Sequence, residues 1–167
     1  MINVPYFKQE TLYTCVVASA RMILHKLGHK VPERKLAQAT KASLSKGTSF
    51  ANVKKYAEKQ GFRCSIEQIR NKAKAFAKLH FYLRKDVPII VTVDRMIYDK
   101  KTPHIKTKVA WEGKTFSYHC IVVRGIDDKY VYFNDPHEHV GQIFIPVDEF
   151  AKAWFNKRYP GYLITIK

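Results

Sequence analysis

The sequence predicts an α+β fold, with an N-terminal helical lobe packed on a C-terminal antiparallel β-sheet. Three observations predict it. Between Thr14 and Lys85, apolar residues recur at three- and four-residue spacing, in runs closed by Gly28 and Gly61. From Val87 onward the texture turns to β-branched and aromatic runs, beginning with Val87-Pro88-Ile89-Ile90-Val91-Thr92-Val93. Tyr118 to Ile126 and Tyr130 to Asn134 then flank Asp127-Asp128-Lys129 as the two arms of a hairpin. Helices first and strands second give α+β rather than an alternating α/β order. The helical part (about 1–86) and the β-rich part (about 87–167) belong to a single domain, with no linker, repeat or low-complexity segment between them.

Taken in order, Ile2 to Lys8 is extended, because Pro5 forbids an early helical turn. A first helix starts at Thr14 or Cys15, with Thr14 suited to the N-cap and Val17, Ala20, Ile23, Leu24 and Leu27 on one apolar face. Gly28 stops it. Pro32 fits the first turn of a second helix that turns Leu36 and Ala39 inward. Gly47-Thr48-Ser49 caps a third helix running to about Gln60. Phe62 to Ile66 reads as a short strand and Asn71 to Lys85 as an amphipathic helix. Beyond the Val87 strand, Asp99 to Gly113 is polar and irregular, a loop or hairpin over a cleft. Gln142 to Pro146 is a strand, Val147 to Asn156 a short helix opening with acids, and Tyr162 to Lys167 a terminal strand.

Composition narrows the class. With 167 residues, 46% of them hydrophobic, the chain can bury a core without disulfide staples. Three cysteines cannot form a paired framework, so reduced thiols and a cytoplasmic location are expected. Mean hydropathy is -0.31 and no run reaches the roughly 18 apolar residues of a membrane span. The run Cys15 to Ala18 is too short for a signal-peptide core. The formal charge is +16, and ten basic residues between Asn52 and Asp86 face only Glu58, Glu67 and Asp86. Such a surface attracts an acidic peptide, an anionic surface or nucleic acid, unless it is only a solvated helix face. No zinc-finger, aromatic RNA-binding or helix-turn-helix pattern accompanies it, so nucleic acid is the secondary reading.

The chemistry-bearing stretch is Gln9-Glu10-Thr11-Leu12-Tyr13-Thr14-Cys15. A cysteine opening a helix sits in the positive field of its N-terminus, which favours thiolate. Gln9 and the Cys15 backbone N–H are candidate oxyanion donors. On the first arm of the hairpin, His119, Ile121 and Val123 point one way and Cys120, Val122 and Arg124 the other, which makes Cys120 buried packing. Asp135 closes the second arm, sixteen residues after His119, within reach of its ring. Each residue alone has an ordinary reading: a buried small hydrophobe for Cys15, a hydrogen-bonded core histidine for His119, turn chemistry for Asp135-Pro136. Together, in this order and on these elements, they make a nucleophile, base, orienting acid and oxyanion donor.

Val4-Pro5-Tyr6-Phe7-Lys8-Gln9, followed by Cys15 at the head of an apolar helix, resembles the papain-like cysteine peptidases. It is more similar still to the branch that trims double-glycine leaders from bacteriocins. Tyr118 to Asp127 matches that family's histidine block, Tyr130 to Pro136 its acid block, and Gly47-Thr48-Ser49 its middle segment. The resemblance spans nearly the whole chain. It implies a papain-like fold, peptide-bond hydrolysis of a peptide or protein substrate, and no cofactor. It gives Cys15 the role of nucleophile, His119 of general base and acid, Asp135 of orienting residue and Gln9 of oxyanion donor. Two departures stand out: Val16 occupies the position after the nucleophile where the family usually has glycine, and no GxxxxGK[ST] motif or membrane segment accompanies the domain.

Three rivals are weighed against this reading. Transglutaminase-like acyl transfer or deamidation uses the same Cys, His, Asp order, and product analysis with and without an added amine separates it. A zinc site at His137, His139 and His119 lacks paired ligands such as CxxC, and His137-Glu138-His139 reads better as a polar loop at the cleft edge, so no metal is expected. A non-enzymatic basic module would leave Cys15 inert and bind in a steeply salt-dependent way.

Overall fold

The computed structural model describes residues 1–94, 110–111, 114–115, 118–137, 143–156 and 160–167. Among these, five helices and eight strands follow one another. They are α1 (Cys15–Lys26), α2 (Glu33–Ala39), α3 (Phe50–Lys59), β1 (Cys64–Gln68), α4 (Lys72–Arg84) and β2 (Ile89–Asp94). Then come β3 (Ala110–Trp111), β4 (Lys114–Thr115), β5 (Tyr118–Ile126), β6 (Tyr130–Asn134), β7 (Ile143–Pro146), α5 (Val147–Trp154) and β8 (Tyr162–Ile166). Apart from the small β3–β4 pair, the strands form one antiparallel sheet in the order β1-β8-β2-β5-β6-β7. The expected loop from Asp99 to Gly113, except for Ala110–Trp111, and the first residue of the strand expected from Gln142 lie outside the described residues.

Helices cover both faces of this sheet. Val17, Ala20, Ile23 and Leu24 of α1, Leu36 of α2 and Val53 and Ala57 of α3 bury against Ile90, Cys120, Val122, Ile164 and Ile166. On the opposite face, Ala75 and Leu79 of α4 and Phe150 and Trp154 of α5 bury against Ile89, Val91, Ile121, Val123 and Phe133. The period-2 alternation of β2 and β5 thus feeds two cores rather than one core and solvent, and the central strands carry apolar residues at almost every position. α3 and α4, which carry most of the basic residues between Asn52 and Asp86, pack on opposite faces of the sheet.

Local differences from expectation have local causes. α1 begins at Cys15 as expected, but the Thr14 hydroxyl bonds the Thr11 carbonyl instead of capping the helix. Ala39 is exposed rather than inward, because α2 ends there and Ala37 takes the packing position. β1 starts two residues later than Phe62. The Phe62 N–H is spent on the Ala57 carbonyl, closing α3 together with Gly61 at φ 88°, and pairing with the C-terminus starts at Arg63 and Lys167.

Candidate active site

The site lies where β5 begins and β6 ends. In the antiparallel β5–β6 pair the last rungs are Val122 with Asn134 and Val123 with Phe133, so His119 and Asp135 project from the same end of the ladder. His119 Nε2 donates to Asp135 Oδ1 at 2.6 Å, and the His137 backbone N–H donates to the same oxygen at 2.8 Å. Both partners are buried, Asp135 completely. With Nε2 committed to the carboxylate, Nδ1 is the ring nitrogen left for another group.

That group is Cys15. α1 packs across β5, where Ser19 Oγ donates to the Cys120 carbonyl at 3.3 Å, and this sets the first turn of α1 over the start of the strand. Cys15, half-buried, packs there against the core that holds Cys120, and its thiol interacts electrostatically with the Cys120 thiol and the His119 ring. The hydrogen bond from Cys120 lowers the Cys15 pKa well below its usual 9.0; burial opposes this, and the His119 hydrogen bond and charge reinforce it. Burial works against a charged His119 ring, yet the Asp135 carboxylate and the Cys15 thiolate outweigh it and push the ring up to about 10. Both shifts favour a thiolate–imidazolium pair over a neutral thiol and ring. The Cys120 thiol moves the other way, well above 9.0, because it donates to the Cys15 thiolate and is buried.

Gln9 stands beside this group on a loop held from two sides. Its N–H donates to the Pro136 carbonyl at 2.8 Å, next to Asp135, and the Glu10 N–H donates to Glu33 Oε1 at 2.8 Å. Burial raises the Glu33 carboxyl, which also lies 3.8 Å from Arg21. Gln9 Nε2 donates to the Thr11 carbonyl at 2.7 Å, and Oε1 is buried without a partner. The structure thus brings Cys15, His119 and Asp135 together, and ties Gln9 to the turn that leads into Cys15 rather than to the thiol itself. Val16 is 6% exposed and packs into the core with Ile2 and Val4.

Sequence reasoning missed two contributors. Cys120 is buried as expected, but it touches Cys15; strand alternation separates it from the His119 face without saying that α1 covers its own. Glu33 anchors the Gln9 loop from α2, and no sequence spacing points to that. The His137 ring lies 6.3 Å from the His119 ring, centroid to centroid, and His139 lies outside the described residues.

A helix of this kind laid across an antiparallel sheet, with a thiol at its head and an imidazole on the sheet, is the fold of the papain-like cysteine peptidases. The Peptidase_C39 like family matches over residues 1–162, and the chain belongs to that family. This makes it a cysteine peptidase, a hydrolase. Solved structures share the fold, and three of them are similar over nearly the whole chain. A C39-like peptidase from Bacillus anthracis superposes with a TM-score of 0.73 at 20% identity, covering 99% of this chain and 94% of that one. A double glycine motif protease from an AMS/PCAT transporter, in complex with the leader peptide, gives 0.69 at 23% identity over 99% and 92%. The peptidase domain of Streptococcus ComA, a bi-functional ABC transporter of a quorum sensing pathway, gives 0.68 at 17% identity over 99% and 98%. No curated protein matches the chain. No helix among the described residues is long and apolar enough to cross a membrane.

Proposed function

We propose that the chain cleaves peptide bonds through Cys15, His119, Asp135 and Gln9. The observation that carries this reading is the His119 ring bonded at 2.6 Å to the fully buried Asp135 carboxylate, with Cys15 at the head of α1 beside it. The Cys15 thiolate attacks the scissile carbonyl. Negative charge develops on the carbonyl oxygen, facing the Cys15 N–H at the open end of α1 and the Gln9 Nε2 hydrogen that Thr11 does not use. Imidazolium at His119 protonates the leaving amine, and the neutral ring then activates water against the acyl-enzyme. Asp135 fixes the tautomer and stabilises the charged ring.

The substrate is a peptide or protein segment, the class bound by the AMS/PCAT neighbour crystallised with its leader peptide. Val16, packed inward, leaves the approach to the thiol open. The net charge of +16 favours an acidic substrate by long-range attraction. Three unpaired cysteines suit a reducing compartment, and the cytoplasm is part of the same proposal. The test is incubation with a proteome-derived peptide library and mass-spectrometric mapping of new termini. The reading expects cleavage by wild type at a recurring motif and none by Cys15→Ala. Folded wild type that cleaves nothing, or a Cys15→Ala variant that cleaves equally well, contradicts it.

A further inference from the structure

Two of the three thiols lie outside the proposed reaction, and their surroundings differ. Cys64 sits on β1 in the core beside α3, where burial and Glu58 push its thiol up to about 11. Cys120 lies beneath the first turn of α1. Its carbonyl accepts from Ser19, one helical turn along from Cys15, its thiol is 3.7 Å from Thr92 Oγ1, and Cys15 packs against the buried cluster that holds Cys120. Cys120 is 3% exposed while Cys15 is half-buried, so a small oxidant from the cleft meets Cys15 first.

We infer that Cys15 and Cys120 form a peroxide-responsive pair, in which an oxidised Cys15 is captured by Cys120 as a reversible disulfide. The inference rests on the reading of Cys15 as the activated thiolate and adds a regulation of the same site. In the first step the Cys15 thiolate attacks one oxygen of a hydroperoxide. An S–O bond forms, the O–O bond breaks, and hydroxide or alkoxide leaves and takes up a proton, giving Cys15 sulfenic acid. In the second step the Cys120 sulfur attacks the Cys15 sulfur. The S–S bond forms, the S–O bond breaks, and the leaving hydroxide departs as water with the Cys120 proton. Two electrons pass from the two thiols to the peroxide, which is the only oxidant required.

The order of events is built into the contact. While Cys15 is a thiolate, its negative charge holds the proton on Cys120 and keeps that thiol silent. Sulfenic acid is neutral, so the first oxidation removes the charge that suppresses the second sulfur. Capture then competes with further oxidation of Cys15 to sulfinic acid, which thiols do not reverse. The disulfide occupies the nucleophile, and a dithiol reductant restores it.

The experiment treats purified full-length protein with equimolar hydrogen peroxide at neutral pH, alkylates free thiols under denaturing conditions, and maps peptides without reduction. Wild type is expected to yield the Cys15–Cys120 linked peptide with Cys64 alkylated, and to lose rapid iodoacetamide labelling of Cys15 until dithiothreitol is added. Cys120→Ser is expected to accumulate sulfinic acid at Cys15 and not to recover, whereas Cys64→Ala behaves as wild type. If Cys120→Ser does not fold, the wild-type map alone decides. Sulfinic acid at Cys15 with Cys120 still alkylated in wild type overturns the inference and leaves the peptidase reading intact. Slow labelling of untreated Cys15 by iodoacetamide overturns both.

Discussion

Helices α1 and α4 lie on opposite faces of the same sheet, and their first turns are finished differently. At the start of α4, Asn71 Oδ1 accepts from the Lys74 N–H at 2.9 Å and satisfies one of the helix's open donors. At the start of α1, Thr14 holds the N-cap position but turns its hydroxyl to Thr11, with bonds of 3.1 Å to the Thr11 carbonyl and 3.0 Å to its hydroxyl. No side chain caps α1 and no acid sits in its first turn. α4 thus closes one of its open donors with its own cap, whereas α1, like α2, α3 and α5, has no side-chain cap. In the proposed mechanism the open end of α1 faces the thiolate and the oxygen of a bound carbonyl.

The contrast can be broken at several points, in order of size. Cys15→Ala or His119→Ala should lower peptidase turnover about a million-fold, since either removes a member of a set that acts as a unit. Asp135→Asn should cost about ten-thousand-fold and also change the pH profile. Turnover needs Cys15 deprotonated and His119 protonated. The acid limb therefore lies well below 9.0 and the alkaline limb lies towards the ring value of about 10. Loss of the Asp135 charge lets the ring give up its proton more easily, so the alkaline limb moves down. Gln9→Ala should lower kcat about a hundred- to a thousand-fold with little change in KM, the signature of a lost oxyanion donor. Asn71→Ala should cost about 1 kcal/mol in denaturant unfolding and leave turnover and Cys15 labelling unchanged. If Asn71→Ala slowed labelling as well, the two helix ends would not be independent.

Much of this was legible in the chain itself. The β5–β6 hairpin has the boundaries that Asp127-Asp128-Lys129 dictates, because two polar acids between β-branched runs leave little choice of turn. α1 starts at Cys15, where the largely polar stretch from Lys8 to Thr14 gives way to Val16-Val17-Ala18. His119 and Asp135 pair as strand geometry requires. What escaped was set by contacts distant in sequence. The β1 strand joins the C-terminal strand β8, and nothing near Cys64 in sequence announces that partner. The face of β5 that α1 covers decides what Cys120 touches, and alternation along a strand is silent about what lies above it. Glu33 reaches the Gln9 loop across 23 residues, from a short helix whose pattern marks Leu36 and Ala39 as inward and says nothing of Glu33.

The central claim is that Cys15 is held as a thiolate by His119. The most direct measurement is the pH dependence of iodoacetamide labelling, read by mass spectrometry at each cysteine in wild type and in His119→Ala. The account predicts rapid labelling of Cys15 below about pH 7 in wild type, with Cys64 and Cys120 protected, and a shift of that labelling towards higher pH in the variant. Wild-type labelling of Cys15 that rises only near about pH 8.5, the value of a free thiol, and is unchanged in His119→Ala would contradict it.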